Sequence, residues 1–201
     1  MFNIGSNILN ANVIVEGTRS ILWNSFNNEL LDIKLKKSGS KGNCPDEWKK
    51  TVLVNDNKQL YLLPESIFGC IREGSKYTKN GRGTMQSMVT ATLQIVDSII
   101  LTDRFLPVNI TRDIAKDVYL DVRSVKNPTT RGRNIRYRAA AKAGWKINFN
   151  ITWDCTLISP ELMEAIIIDS GNFCGLGDGR SIGFGRFKLQ KFELIDVILC
   201  Q

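Results

Sequence analysis

Residues 145–153 read Trp145-Lys146-Ile147-Asn148-Phe149-Asn150-Ile151-Thr152-Trp153. Every odd position is large and apolar, and every even one is polar. Side chains on an extended strand alternate between its two faces, so this run predicts a half-buried strand with one face on a core and the other toward water. That pattern belongs to an antiparallel sheet covered on one side, because strands of a fully covered parallel sheet lack polar alternates. The same alternation runs through 117–123, where Val118, Leu120 and Val122 interleave with Tyr119, Asp121 and Arg123. Residues 11–26 read as one strand, or two joined by a bend at Gly17.

Two helices punctuate these strands. Pro64 opens the first, since its missing N–H has no partner in a first turn anyway. Ile67, Phe68 and Ile71 give it an apolar stripe, and Arg72, Lys76 and Lys79 share another face. Ser159 caps the second, with Pro160 at its first position and Leu162, Met163, Ile166 and Ile167 facing inward. Gly171 is expected to end it. Met85, Met88, Val89 and Thr92 fit a further helix, Ile95 to Leu101 a strand, and a last strand spans about 184–192. Residues 36–59 are polar, rich in Gly and Ser at their start, and read as a loop insertion. The order strand, helix, strands, long hairpin, helix, strand predicts an α+β fold with an antiparallel sheet, such as the ferredoxin-like βαββαβ unit, in a single domain over 1–201.

Composition narrows the chemistry. The chain of 201 residues holds no histidine, which removes Ser-His-Asp and Cys-His catalysis. Cys44, Cys70, Cys155, Cys174 and Cys200 form no CxxC pair, so neither a thiolate zinc site nor a disulfide framework is expected. No metal and no cofactor are predicted. Met1 to Asn12 carry neither a positive start nor an apolar run, and no stretch is long and apolar enough for a membrane helix, so a cytoplasmic location is expected.

Charge distribution points to a polyanionic partner. Lys and Arg number 27 against 20 Asp and Glu, a net +7. Between Asp121 and Asp154 there is no acidic residue, whereas Arg123, Lys126, Arg131, Arg133, Arg136 and Arg138 crowd one turn-rich stretch around Asn127-Pro128 and Gly132. A basic hairpin over about 117–144 suits a phosphate backbone, and arginine offers forked contacts that lysine does not. Tyr137 is placed to stack on a base. The second signal is Gly175-Leu-Gly177-Asp-Gly179-Arg180-Ser-Ile-Gly183-Phe-Gly185-Arg186-Phe187. It is neither a Walker loop nor a dinucleotide fingerprint, since it follows a helix and leads into a strand. Glycines such as Gly177 and Gly179 let backbone N–H groups approach a phosphate, and Arg180 and Arg186 add charge.

The run GLGDGRSIGFGRF resembles the C-terminal glycine-rich loop of the CRISPR-associated RAMP superfamily. Leu63-Pro64-Glu65-Ser66-Ile67-Phe68-Gly69-Cys70-Ile71-Arg72 is similar to that family's segment at the start of the first helix, with Glu65 where a small residue is usual. The resemblance implies a ferredoxin-like (RRM-like) core, a thumb-like hairpin at 117–144, and the role of a backbone subunit that lines up along CRISPR RNA in Cascade-type or Csm/Cmr-type effectors. It implies a single-stranded RNA partner, crRNA, together with self-association or other effector subunits, and no membrane. The residues expected to contact RNA are then Arg72, Lys76, Arg123, Lys126, Arg131, Arg133, Arg136, Tyr137, Arg138, Gly177, Gly179, Arg180 and Arg186. In Csm/Cmr-type backbones an early-loop Asp cleaves target RNA. Asp32 is the weak candidate by position, Asp46 and Asp56 are no worse, and a loop carboxylate is more often only solvated. Two alternatives stay open: a metal-dependent endoribonuclease using such an Asp, and a stand-alone or mobile-element-encoded relative that interacts with or inhibits a CRISPR complex.

Overall fold

The computed structural model describes residues 7–25, 45–46, 48–126 and 132–195. Its elements in chain order are β1 (Ile8–Gly17), β2 (Ile21–Leu22), α1 (Trp48–Thr51), β3 (Gln59–Leu62), α2 (Pro64–Gly74), β4 (Lys79–Asn80), β5 (Gly83–Thr84), α3 (Gln86–Thr92), β6 (Gln94–Ile95), β7 (Ile100–Phe105), β8 (Val118–Lys126), β9 (Arg133–Ala141), β10 (Lys146–Asp154), α4 (Pro160–Asp169) and β11 (Phe187–Ile195). Helices and antiparallel strands mix in an α+β fold.

The alternating run becomes β10, at the middle of a sheet ordered β11-β1-β10-β7-β3, with β6 also on β10. Its register with β1 pairs Val13 with Phe149, Val15 with Ile147 and Ala11 with Ile151. All six are buried, as directly opposed residues on the covered face of a sheet should be. Asn12 stands on the other face, and its side-chain amide donates to Asn148 Oδ1 at 2.6 Å and Asn150 Oδ1 at 2.9 Å. On the covered face α2 supplies Ile67 and Ile71, and α4 supplies Met163, Ile166 and Ile167. Three tryptophans are fully buried, and each indole N–H finds a carbonyl: Trp23 on Tyr61, Trp145 on Arg19 and Trp153 on Ile158, all at 2.8 Å. Burying the ring without such a partner would cost about 1–3 kcal/mol each.

Helix starts follow the sequence chemistry. Ser159 Oγ accepts the Leu162 amide at 3.3 Å, and Pro64 occupies the first turn of α2 with Glu65 beside it at the positive end of the dipole. The end of α4 departs from expectation. The chain does not turn at Gly171; a π-turn over Ser170–Cys174 continues the winding, and Gly175 at φ +81° turns it. Gly171 instead leaves room for Phe187 of β11, which a Cβ there would overlap. Residues 36–59 are not loop throughout: α1 and the first residue of β3 fall within them, while 36–44 lie outside the described residues.

A second sheet, β2-β9-β8, stands beside the first. β8 and β9 pair antiparallel from Val118↔Ala141 to Lys126↔Arg133. The second arm of this hairpin, β9, lies in the stretch that the sequence marks as basic. Arg136 and Arg138 alternate along it with Ile135, Tyr137 and Ala139, β8 pairs along its whole length, and β2 pairs with it at Ala140 and Ala141. Among the described residues no helix is long and apolar enough to cross a membrane.

Two predictions test this packing. Gly183 and Gly185 both have positive φ, at +91° and +70°. A Cβ at Gly183 meets nothing within 4 Å, whereas one at Gly185 overlaps the Leu176 carbonyl. Gly183→Ala is expected to cost about 1–2 kcal/mol in urea denaturation, and Gly185→Ala distinctly more, because backbone must move. Equal losses would contradict the loop packing. Burial also pushes the Cys70 thiol up to about 12. Among the described cysteines, alkylation near neutral pH, read by peptide mapping, should reach Cys155 first and Cys70 only as the protein unfolds, since thiolate is the reactive form. Early labelling of Cys70 would show α2 lifting from the sheet.

Candidate nucleic-acid interface

The glycine-rich segment folds back on itself. Leu176 N–H donates to the Gly185 carbonyl at 2.9 Å, and Phe184 N–H to that of Gly179 at 3.3 Å. It then docks on the stretch after β1: Asp178 N–H donates to Leu22 O at 2.9 Å and Gly185 N–H to Ser20 O at 2.8 Å. Gly177, at φ +74°, brings its α-carbon against β2, where a Cβ would sit 2.5 Å from Leu22 O. Gly179 N–H is taken by Asp178 Oδ1 at 2.8 Å. These glycines serve the loop's own packing, and most of its backbone donors are spent inside the protein.

Charge collects on both sides of this loop. Toward the hairpin, Arg19, Arg123 and Lys142 surround a cavity of about 590 Å³, with Tyr119, Phe184 and Ile182 as its apolar wall. The Arg123 guanidinium lies 4.6 Å from the Phe184 ring centroid, a cation–π contact. Its Nε donates to Asp121 Oδ1 at 2.7 Å. Antiparallel alternation puts Tyr119, Asp121 and Arg123 on one hairpin face with their partners Arg138 and Arg136. Tyr137, half-buried, belongs to the opposite face with Val122. Arg138 is only 6% exposed; its Nε lies 3.1 Å from Asp178 Oδ2, an ion pair off hydrogen-bond alignment, and Asn24 donates to the same oxygen at 3.0 Å. Arg138 thereby fastens the hairpin to the glycine-rich loop.

Toward α2, Glu73, Tyr77, Phe173, Cys174, Arg180 and Arg186 line a second, shallower groove of about 250 Å³. Lys76 Nζ approaches Glu73 Oε2 to 2.6 Å, and Arg72 approaches Oε1 to 3.4 Å. The hydrogen bond from Lys76 holds the Glu73 carboxyl below its ordinary range, so it stays ionised and tempers the positive field. Burial raises the Cys174 thiol.

The structure therefore brings Arg180 and Arg186 to one groove, with Arg72 and Lys76 paired to Glu73 at its edge, and Arg123 to the other, and it buries Arg138 against the half-buried Asp178. Arg133 is exposed, opposite Lys126 in register. Arg131, Asp32 and the Lys126 side chain lie outside the described residues. Asp46 is exposed and paired with Lys49 at 2.7 Å, and Asp56 sits in an exposed turn. Among the described residues no three His, Cys, Asp or Glu side chains converge as metal ligands. Sequence reasoning did not single out Arg19, Lys142, Tyr77, Phe173 or Phe184 as contact residues. Arg19 and Lys142 are joined to Arg123 only by the sheet topology, and Tyr77 and Phe173 are 96 positions apart; no local pattern links them.

No protein-family model matches the sequence, and no curated protein sequence matches it either. Among solved structures the chain is similar to one in a cryo-EM structure of the Type III-B Cmr-beta bound to cognate target RNA, with a TM-score of 0.55 at 12% sequence identity. The match covers 94% of this chain and 61% of that one, so this chain spans about three fifths of that chain's length. The shared property is the fold.

Proposed function

We propose that the chain binds single-stranded RNA through the phosphate backbone, as a crRNA-binding subunit of the RAMP backbone type, and that it assembles along the RNA with itself or with other effector subunits. The observation that carries this reading is the pair of cation-lined grooves flanking one internally braced glycine-rich loop. Arg19, Arg123 and Lys142 stand on one side, and Arg180 and Arg186 on the other. Phosphate contacts of this kind are sequence-tolerant. Likeness in fold to a chain of an RNA-bound Cmr complex supports the same partner class.

The ferredoxin-like part of the proposal is supported by strand order. Numbered in sequence, the sheet's four longest strands β1, β7, β10 and β11 lie in it as 4-1-3-2, with α2 between the first two and α4 between the last two. The β8–β9 pair is the thumb-like hairpin of this reading, and Arg133 and Arg136 are its proposed phosphate contacts. In this proposal Arg138 acts indirectly, through Asp178.

The test is a gel shift on a labelled single-stranded RNA of about 40 nucleotides across a salt series, followed by negative-stain microscopy. Affinity should fall linearly on a log–log plot against salt. Arg123→Ala combined with Lys142→Ala should weaken binding of all sequences alike and flatten the slope by ~1.4, two contacts at ~0.7 each on a single strand. Regular filaments on the RNA would support the backbone role. Absence of binding at low salt would overturn the proposal.

A further inference from the structure

Tyr77 and Phe173 make an exposed aromatic pair that neither the core nor the phosphate contacts explain. Their ring centroids are 4.8 Å apart and their planes tilt by 44°. Tyr77 is 56% exposed and Phe173 48%, so their mutual contact leaves much of both rings open to water. Both sit on braced backbone. Tyr77 N–H donates to the Gly74 carbonyl at 3.0 Å, just past the end of α2, and Phe173 belongs to the π-turn that packs on α2. The rings are thus held out over the groove at little further entropic cost, since each has only two side-chain torsions.

The groove they border is cationic. Arg180 and Arg186 line it, and Lys76 and Arg72 reach it through Glu73, whose carboxylate is already met by Lys76. The Arg186 Nη1 donor is buried and finds no hydrogen-bond partner among the described residues. An aromatic platform beside unspent guanidinium donors fits a nucleotide: a flat π-face for the rings and a phosphate for the arginines. An apolar peptide would leave the arginines unanswered, and a bare phosphate would leave the rings so.

We infer that Tyr77 and Phe173 form a stacking platform for one unpaired base, with the adjoining phosphate on Arg180 and Arg186. The inference rests on the single-stranded RNA reading and adds to it a contact with the base itself. Stacking of this kind tolerates any base and is largely independent of salt.

The experiment is fluorescence anisotropy with a labelled single-stranded RNA and a matching strand carrying abasic sites, at several salt concentrations. Wild-type protein should bind the abasic strand roughly tenfold more weakly. Tyr77→Ala combined with Phe173→Ala should bind intact RNA roughly tenfold more weakly, keep the wild-type salt slope, and no longer distinguish intact from abasic RNA. Tyr77→Leu with Phe173→Leu preserves an apolar contact between the two sites and should show the same loss if π-stacking is the cause. Arg180→Ala should do the converse, flattening the slope while preserving the preference for intact RNA. Wild-type binding to RNA together with an unaltered base preference in both double variants would overturn the inference and leave the RNA reading standing. Failure of the wild-type protein to bind RNA at all would overturn both.

Discussion

The glycine-rich loop can lie where it does only because the backbone of residues 175–186 touches the backbone of residues 20–22. Asp178 N–H meets Leu22 O and Gly185 N–H meets Ser20 O, at 2.9 and 2.8 Å. The contact requires positions without side chains, since a Cβ at Gly177 would reach Leu22 O and one at Gly185 would enter Leu176. Because β2 pairs with β9, the same contact fixes the loop to the hairpin as well as to the central sheet. Arg123 and Lys142 are carried by the hairpin, Arg180 and Arg186 by the loop, and Arg19 by the stretch on which the loop docks.

The ion pair of Arg138 with Asp178 tightens this junction without adding much net stability. Desolvating a guanidinium that is 6% exposed costs several kcal/mol, and attraction to one carboxylate does little more than return it. What the pair supplies is specificity. Asp178 accepts from Asn24 and from its neighbour Gly179 while facing Arg138, so only one placement of the loop satisfies all of them. A charged residue inside the basic run is thus spent on architecture, and the surface left for a polyanion is narrower than the count of arginines implies.

The central sheet was legible because each decisive residue acts locally. The alternation at 145–153, Pro64 and Ser159 with Pro160 carry their meaning within a few positions, and β10, α2 and α4 fall where those signals put them. The second sheet was less so. Residues 133–141 read Arg-Asn-Ile-Arg-Tyr-Arg-Ala-Ala-Ala: Ile135 and Tyr137 suit the second arm of a hairpin, whereas the three alanines do not mark a strand and are held extended by pairing with β8 and β2. The same limit applies to the candidate site. Basic residues were visible as charge, but whether an arginine faces water or a half-buried carboxylate 40 positions away depends on topology. Glycines were visible as permissive backbone; that they admit Leu22 and Leu176 rather than a phosphate depends on what is packed against them.

These two corrections alter how an anion must be held. With most of its amide donors turned inward, the loop offers a ligand few backbone N–H groups, and recognition falls to side chains at its flanks. Arginines and lysines on long stems would ordinarily lose much rotamer freedom on binding. Here Arg123 is already propped between Phe184 and Asp121, and Arg72 and Lys76 are gathered at Glu73. The braced loop sets the spacing of the grooves, and the local pairs restrain the cations before any ligand arrives. That arrangement favours a partner with repeated charge over one with a single shape to be read, because the protein fixes where charge must be met and little else.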